Sequence, residues 1–177
     1  FLDTSLIVRL LGFSSPEVCA AVEELLALLK SAKAVVRVFR HTLEEVCGVL
    51  DGVAANLDRE RRGQLDSSRL VAVNREVLDH LIRRGATASD VREVTADVER
   101  RLLRLGVGVE DMPDYPRRPD FSEEEIEAAL EAALGGYKSD AARRKDAASL
   151  AGIHILRGGK SPRDIGEAAA IFVTSNR

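Results

Sequence analysis

Three short runs of nearly continuous apolar residues punctuate the chain. They are Phe1-Leu2, running straight into Asp3-Thr4-Ser5; Ala34 to Phe39; and Ala170 to Val173, followed by Thr174-Ser175-Asn176. Short apolar runs bounded by small polar residues read as strands buried on both faces, as in a parallel sheet covered by helices. The opening pair reads as the end of a strand whose beginning lies outside the sequence, with a turn after it. Gly106-Val107-Gly108-Val109 is a candidate fourth, short strand.

Between these runs the period changes from continuous to helical. Ser15-Pro16 supplies an N-cap and a first-turn proline, and Val18, Val22, Leu25, Leu26 and Leu29 then share one face. Thr42 is the expected cap of the next helix, whose stripe is Val46, Cys47, Leu50, Val53 and Leu57 and which the charged run Asp58 to Gly63 ends. Two helices are expected over 68–84 and 88–105, the second with Val91, Val94, Val98, Leu102 and Leu105 as its stripe. Pro113, Pro116 and Pro119 make 111–120 an extended loop.

Ser122 and Glu125 form a capping box flanked by a Phe121–Ile126 staple, and Gly135-Gly136 ends that helix. A last helix is expected from Ser139 towards Gly158-Gly159. The pattern predicts an α/β fold, one domain over 1–177 cropped at both ends, with 60–135 as a helical insertion.

Composition narrows the function classes. The chain has 177 residues, 45% of them hydrophobic and 31% charged, enough for a core and inconsistent with wholesale disorder. Cys19 and Cys47 lie in apolar contexts and read as reduced thiols, neither a disulfide framework nor a cysteine zinc site. No apolar run is long enough to cross a bilayer and no basic-then-apolar leader opens the chain, so a cytoplasmic protein without a membrane partner is expected. A net charge of −3 disfavours wrapping a duplex through overall charge, and 4% aromatics disfavour base-stacking platforms.

The chemistry-bearing residues stand at the ends of the expected strands. Asp3 follows the first. Glu44 and Glu45 open the helix after the second, Asp146 lies on the helix before the third, and Asn176 follows it. Individually each has a plain reading: Asp3 as a helix cap, Glu44 and Glu45 as first-turn acids, Asp146 as an ion pair with Arg143, Arg144 or Lys145, and Asn176 as a turn residue. Together they are placed where the carboxyl ends of parallel strands gather side chains. Several carboxylates in one pocket suit a hard divalent cation. Lys138, Arg143, Arg144 and Lys145 are candidate phosphate contacts, although four positions on a helix cannot all face one pocket. His41, His80 and His154 share no spacing of a metal pair.

These motifs have a family likeness. Phe1 to Gly12 resembles the first motif of PIN domains, a superfamily of metal-dependent nucleases, in which an aspartate follows the first strand. His41-Thr42-Leu43-Glu44-Glu45-Val46 resembles the second; with Leu43 and Val46 at the aliphatic positions the register picks Glu45, Glu44 being the fallback. Asp146 to Ile153 is similar to the third motif, and Ile171 to Asn176 to the closing one, with Asn176 where an aspartate is usual. The likeness covers about half of the chain, at both ends.

It implies a three-layer α/β/α fold with a short central parallel sheet. It also implies Mg²⁺ or Mn²⁺ held by Asp3, Glu45 and Asp146, with Asn176 orienting a water or ligand, and hydrolysis of phosphodiester bonds in RNA, other single-stranded nucleic acid being the alternative substrate. The alternatives are a catalytically impaired binding or regulatory module, with a homodimer or another protein as partner, and the toxin half of a toxin–antitoxin pair. A haloacid-dehalogenase-like phosphatase is disfavoured because that chemistry needs an acid where Ser5 stands.

Overall fold

Asp3 ends the first extended stretch and begins the first helix, α1 (Thr4–Leu10), by accepting a hydrogen bond from the Thr4 N–H. The seven-residue helix is too short to persist alone. Burial of Leu6, Ile7, Val8 and Leu10 holds it. It closes with a paired motif in which Gly12 N–H donates to Arg9 C=O and Phe13 N–H to Val8 C=O. Gly12 has φ +85°, the left-handed conformation that this closure requires, and Phe13 drops into the core.

In the computed structural model, residues 1–66, 72–115, 122–134 and 140–175 are described. The remaining elements are α2 (Pro16–Ser31), β1 (Arg37–Phe39), α3 (Arg40–Arg61), α4 (Ala72–Arg83), α5 (Ala88–Ala96), α6 (Val98–Arg104), β2 (Gly108–Glu110), α7 (Glu123–Leu134) and α8 (Asp140–Leu156). A 3-10 turn follows at Ile165–Glu167. The described fold is thus mostly helical around a small parallel sheet, an α/β arrangement. None of the described helices is long and apolar enough to cross a membrane.

Helix α3 is the central element. It packs against α1, α4 and α5. Val46, Leu50 and Val53 along its stripe have no exposed surface. Each such side chain contributes roughly 1.5–3 kcal/mol by leaving water. Val77, Leu78 and Leu81 of α4, Val91 of α5 and Val98 and Leu102 of α6 complete the main core. Thr87 and Asp90 cap α5 reciprocally.

Strand β1 pairs in parallel with β2, with Val38 opposite Val109, and Arg37 forms an ion pair with Glu110 across the ladder. On the other side of β1, Leu2 N–H donates to Arg37 C=O at 2.9 Å while Leu2 forms a parallel bridge with Val173. Four extended segments therefore lie side by side: the one at Val173, the one at Leu2, then β1 and β2. A second, smaller cluster of Phe39, Ile153 and Ala170, with Phe1, Met112, Leu156 and Phe172 against it, joins α8 and the C-terminal segment to this sheet.

Several expectations are refined. Helix α3 begins at Arg40 directly after β1, so Thr42 is a buried helical residue and not the cap; Phe39 occupies the N-cap without a side-chain bond. Phe39 is committed to the smaller core, and the strand runs into the helix without an intervening turn. The expected 88–105 helix is two helices, broken at Asp97, whose carboxylate pairs with Arg100, Arg101 and Arg104. The C-terminal strand reduces to the single bridge at Val173. The Ser122–Glu125 capping box is present, with both bonds at 3.1 Å. Phe121, Gly135, Gly136 and Ser139 lie outside the described residues. The 60–135 stretch contributes β2 to the sheet as well as helices.

Candidate metal centre

Asp3 is almost completely buried, at 6% exposure, and its carboxylate is held from three directions. Oδ1 accepts from the Thr4 N–H at 2.7 Å; Oδ2 accepts from Ser5 Oγ at 3.1 Å and Thr174 Oγ1 at 2.9 Å. The Asp3 N–H donates to Val173 C=O, and Ser5 Oγ lies 2.8 Å from Ser175 Oγ. The bridge at Leu2 and Val173 thus fixes the register that brings the hydroxyls of Ser5 and Thr174, distant in sequence, to one carboxylate.

Thr4 connects that carboxylate to a second. Its N–H is bonded to Asp3, and its hydroxyl donates to Glu45 Oε2 at 2.7 Å. Glu45 lies in the second turn of α3. The hydroxyl of Thr4 selects Glu45 from the Glu44-Glu45 pair; Glu44 is exposed. The other oxygen of Glu45 is 3.7 Å from Lys145 Nζ on α8. One turn away on both helices, His41 and Ser149 are hydrogen-bonded at 2.8 Å. Burial holds the His41 imidazole below its ordinary pKa, against the weaker opposing pull of Glu45 and Glu44.

The other expected residues divide. Asp146 follows Lys145 on α8 and is half-buried, between Lys145, which reaches Glu45, and Ala147, which is fully buried. Arg143 is paired with Glu127, Glu131 and Asp140, and Arg144 with Glu127, so both are engaged by α7 and Arg143 also by the start of α8. Asn176 and Lys138 lie outside the described residues. Among the described residues, no three His, Cys, Asp or Glu side chains are gathered into a group that could hold an ion. What is gathered is a pair of carboxylates joined by Thr4, with an ammonium beside one of them.

That set fits a divalent cation in kind. The donors are hard oxygens, and the place beside Glu45 already draws a positive charge. Sequence reasoning passed over the hydroxyls of Thr4, Ser5, Thr174 and Ser175 and the use of His41 as a link between helices. The legible signal for His41 was its spacing, one turn before Glu45. Grooves of about 370 Å³ (around His154, Arg157 and Phe172) and 610 Å³ (around Ser14, His80 and Arg84) contain none of Asp3, Glu45 or Asp146. The candidate centre is marked by the pair of carboxylates linked through Thr4, not by cavity size. No family model, curated protein or solved structure matches the chain.

Proposed function

We propose that this protein hydrolyses phosphodiester bonds in RNA, using Mg²⁺ or Mn²⁺ held by Asp3, Glu45 and Asp146. The observation that carries the reading is the bridge through Thr4: two carboxylates 42 positions apart in sequence are bonded to one residue, where the Leu2 segment and β1 give way to helices. The proposal includes the three-layer PIN-like architecture, with 60–135 as an elaboration of it, and a cytoplasmic site of action.

In this reading a bound divalent ion would supply a nucleophilic water and stabilise charge on the phosphate. The protein's own contribution is placement. Asp3 is fixed by Thr4, Ser5 and Thr174, and so cannot turn away from the site; Glu45 is aimed by the Thr4 hydroxyl. Asp146 would add the third carboxylate from α8, the helix that the Lys145–Glu45 and His41–Ser149 contacts hold against α3. Asn176 would orient water or substrate as a neutral donor and acceptor.

The test is Mn²⁺ binding by calorimetry on the wild type and Asp146→Asn in parallel, followed by cleavage of structured and unstructured RNA. Binding that weakens at least tenfold in the variant, together with metal-dependent cleavage, is the expected result. A second reading is favoured by the Lys145–Glu45 pair, which already neutralises one carboxylate. In that reading the site is vestigial and the protein is a binding or regulatory module. Absence of Mn²⁺ binding in both the wild type and the Lys145 variant described below would select it.

A further inference from the structure

Three consecutive basic residues on α8 point to different partners. Arg143 and Arg144 are engaged with acids of α7 and the first turn of α8, whereas Lys145 reaches across to α3 and stands 3.7 Å from Glu45 Oε1. Its side chain remains 43% exposed, and the contact is a loose ion pair, not a close hydrogen bond. Glu45 is fixed at its other oxygen by Thr4, so the mobile member of the pair is Lys145. A lysine carries a compact charge on a flexible stem and has no planar geometry to lose when it changes partner.

We propose that Lys145 is an exchangeable counter-cation: it neutralises Glu45 in the metal-free protein, yields that oxygen to a divalent ion, and then binds the RNA phosphate brought in with the ion. This rests on the metal-dependent reading and adds to it the residue that sets how readily the centre fills. Two like-charged carboxylates beside one another are unfavourable when empty, and one ammonium offsets part of that repulsion. The same ammonium opposes entry of a divalent cation, because both positive charges seek the same oxygen. Once displaced, it would be free to pair with the phosphate of bound RNA, a partner that favours a positive charge. Lys145 would therefore have opposite effects on two ligands, which a merely structural residue would not have.

The experiment measures Mn²⁺ affinity by calorimetry and KM for RNA cleavage on wild type, Lys145→Met and Lys145→Arg, with thermal midpoints as the folding control. Lys145→Met keeps most of the stem and removes the charge. It is expected to bind Mn²⁺ roughly tenfold more tightly and to raise KM several-fold, while Lys145→Arg, which keeps a charge beside Glu45 but holds it more firmly, binds Mn²⁺ no more tightly than wild type. Mn²⁺ binding by Lys145→Met alone, with none by the wild type, supports the proposal most strongly. If the wild type binds Mn²⁺ and Lys145→Met binds no more tightly, the counter-cation role is overturned and the metal-dependent reading stands. If neither protein binds at millimolar Mn²⁺, the metal-dependent reading falls and this inference falls with it.

Discussion

His41 Nε2 lies 2.8 Å from Ser149 Oγ, one helical turn from the Glu45–Lys145 pair on both α3 and α8. Residue numbers rise from 41 to 45 on one helix as they fall from 149 to 145 on the other, so the helices run antiparallel where these two rungs join them. The His41 ring also stacks on Phe39, with centroids 5.4 Å apart, and Phe39 stacks on Phe1. The imidazole thus ties the polar ladder to the smaller apolar core.

That placement gives a pH dependence with a definite sign. Desolvation by burial lowers the His41 pKa; Glu45, Glu44 and Glu123 oppose the shift, and Lys145 adds to it. Because the folded pKa is the lower one, the unfolded chain takes up its proton first on acidification. The stabilisation is complete above the unfolded value of about 6.5 and is lost as pH falls through the folded value. Urea unfolding at about pH 7.5 and pH 5.5 should show a smaller acid-side loss for His41→Asn than for wild type, the other histidines cancelling in the comparison. Equal losses in the two proteins would refute the assignment.

Thr4 joins Asp3 and Glu45 through different atoms, so the two bonds are separable. Thr4→Val retains the shape and the backbone N–H on Asp3 but removes the hydroxyl bonded to Glu45. Stability should fall by about 0.5–1.5 kcal/mol in chemical denaturation, with Mn²⁺ affinity reduced as Glu45 loses its aim. Thr4→Ser, which restores the donor, should recover most of the affinity. Recovery by neither, with equal loss in both, would point to packing instead of the hydroxyl.

The sequence made the ends of this site legible and left its middle hidden. Asp3 and the Glu44-Glu45 pair stood out because each lies near the end of a short apolar run, and local pattern reports strand ends well; the choice of Glu45 within the pair came from the family likeness, not from local pattern. Sheet order was not readable. The bridge of Leu2 to Val173 spans nearly the whole chain, and nothing local says that Thr174 and Ser175 will meet Asp3 and Ser5. Among the basic residues of α8 the limit was rotational. Arg143, Arg144 and Lys145 have similar local context, and only the packing of α7 against α8 decides that the arginines face α7 while Lys145 faces Glu45. The Thr42 cap failed for a tertiary reason, because the demand of the smaller core for Phe39 overrode the preference for a polar N-cap.

Glu44 and Glu45 are adjacent in sequence and differ, in this fold, in what they touch. Glu45 is fixed by Thr4 and faces Lys145, whereas Glu44 is exposed. Glu45→Gln should lower Mn²⁺ affinity at least tenfold with little change in thermal midpoint, while Glu44→Gln should leave affinity within about twofold of wild type. Calorimetry on the two variants side by side decides the register. The reverse ranking would move the candidate centre to Glu44.

The position of α8 over the sheet depends on the absence of one side chain. A Cβ added at Gly152 would lie 2.9 Å from Phe39 Cζ, closer than real Cβ atoms come to their neighbours, and 3.0 Å from Met112 Cε, a tight contact. Gly152 is in the interior of α8, where alanine is intrinsically the better helix former by about 1 kcal/mol, so propensity and packing pull in opposite directions. Phe39 has no exposed surface and is stacked between Phe1 and His41, so its ring has little room to retreat. Met112 is flexible and only partly buried, and can yield. Gly152→Ala should therefore destabilise by about 1–3 kcal/mol, packing outweighing propensity. Adding Met112→Ala should recover part of that loss, although Met112→Ala alone removes apolar contact and is itself destabilising. A double-mutant cycle by urea unfolding measures the coupling directly. Purely additive effects would place the cost of the added methyl on Phe39 and not on Met112; no loss of stability in Gly152→Ala would mean that α8 crosses β1 at a greater distance.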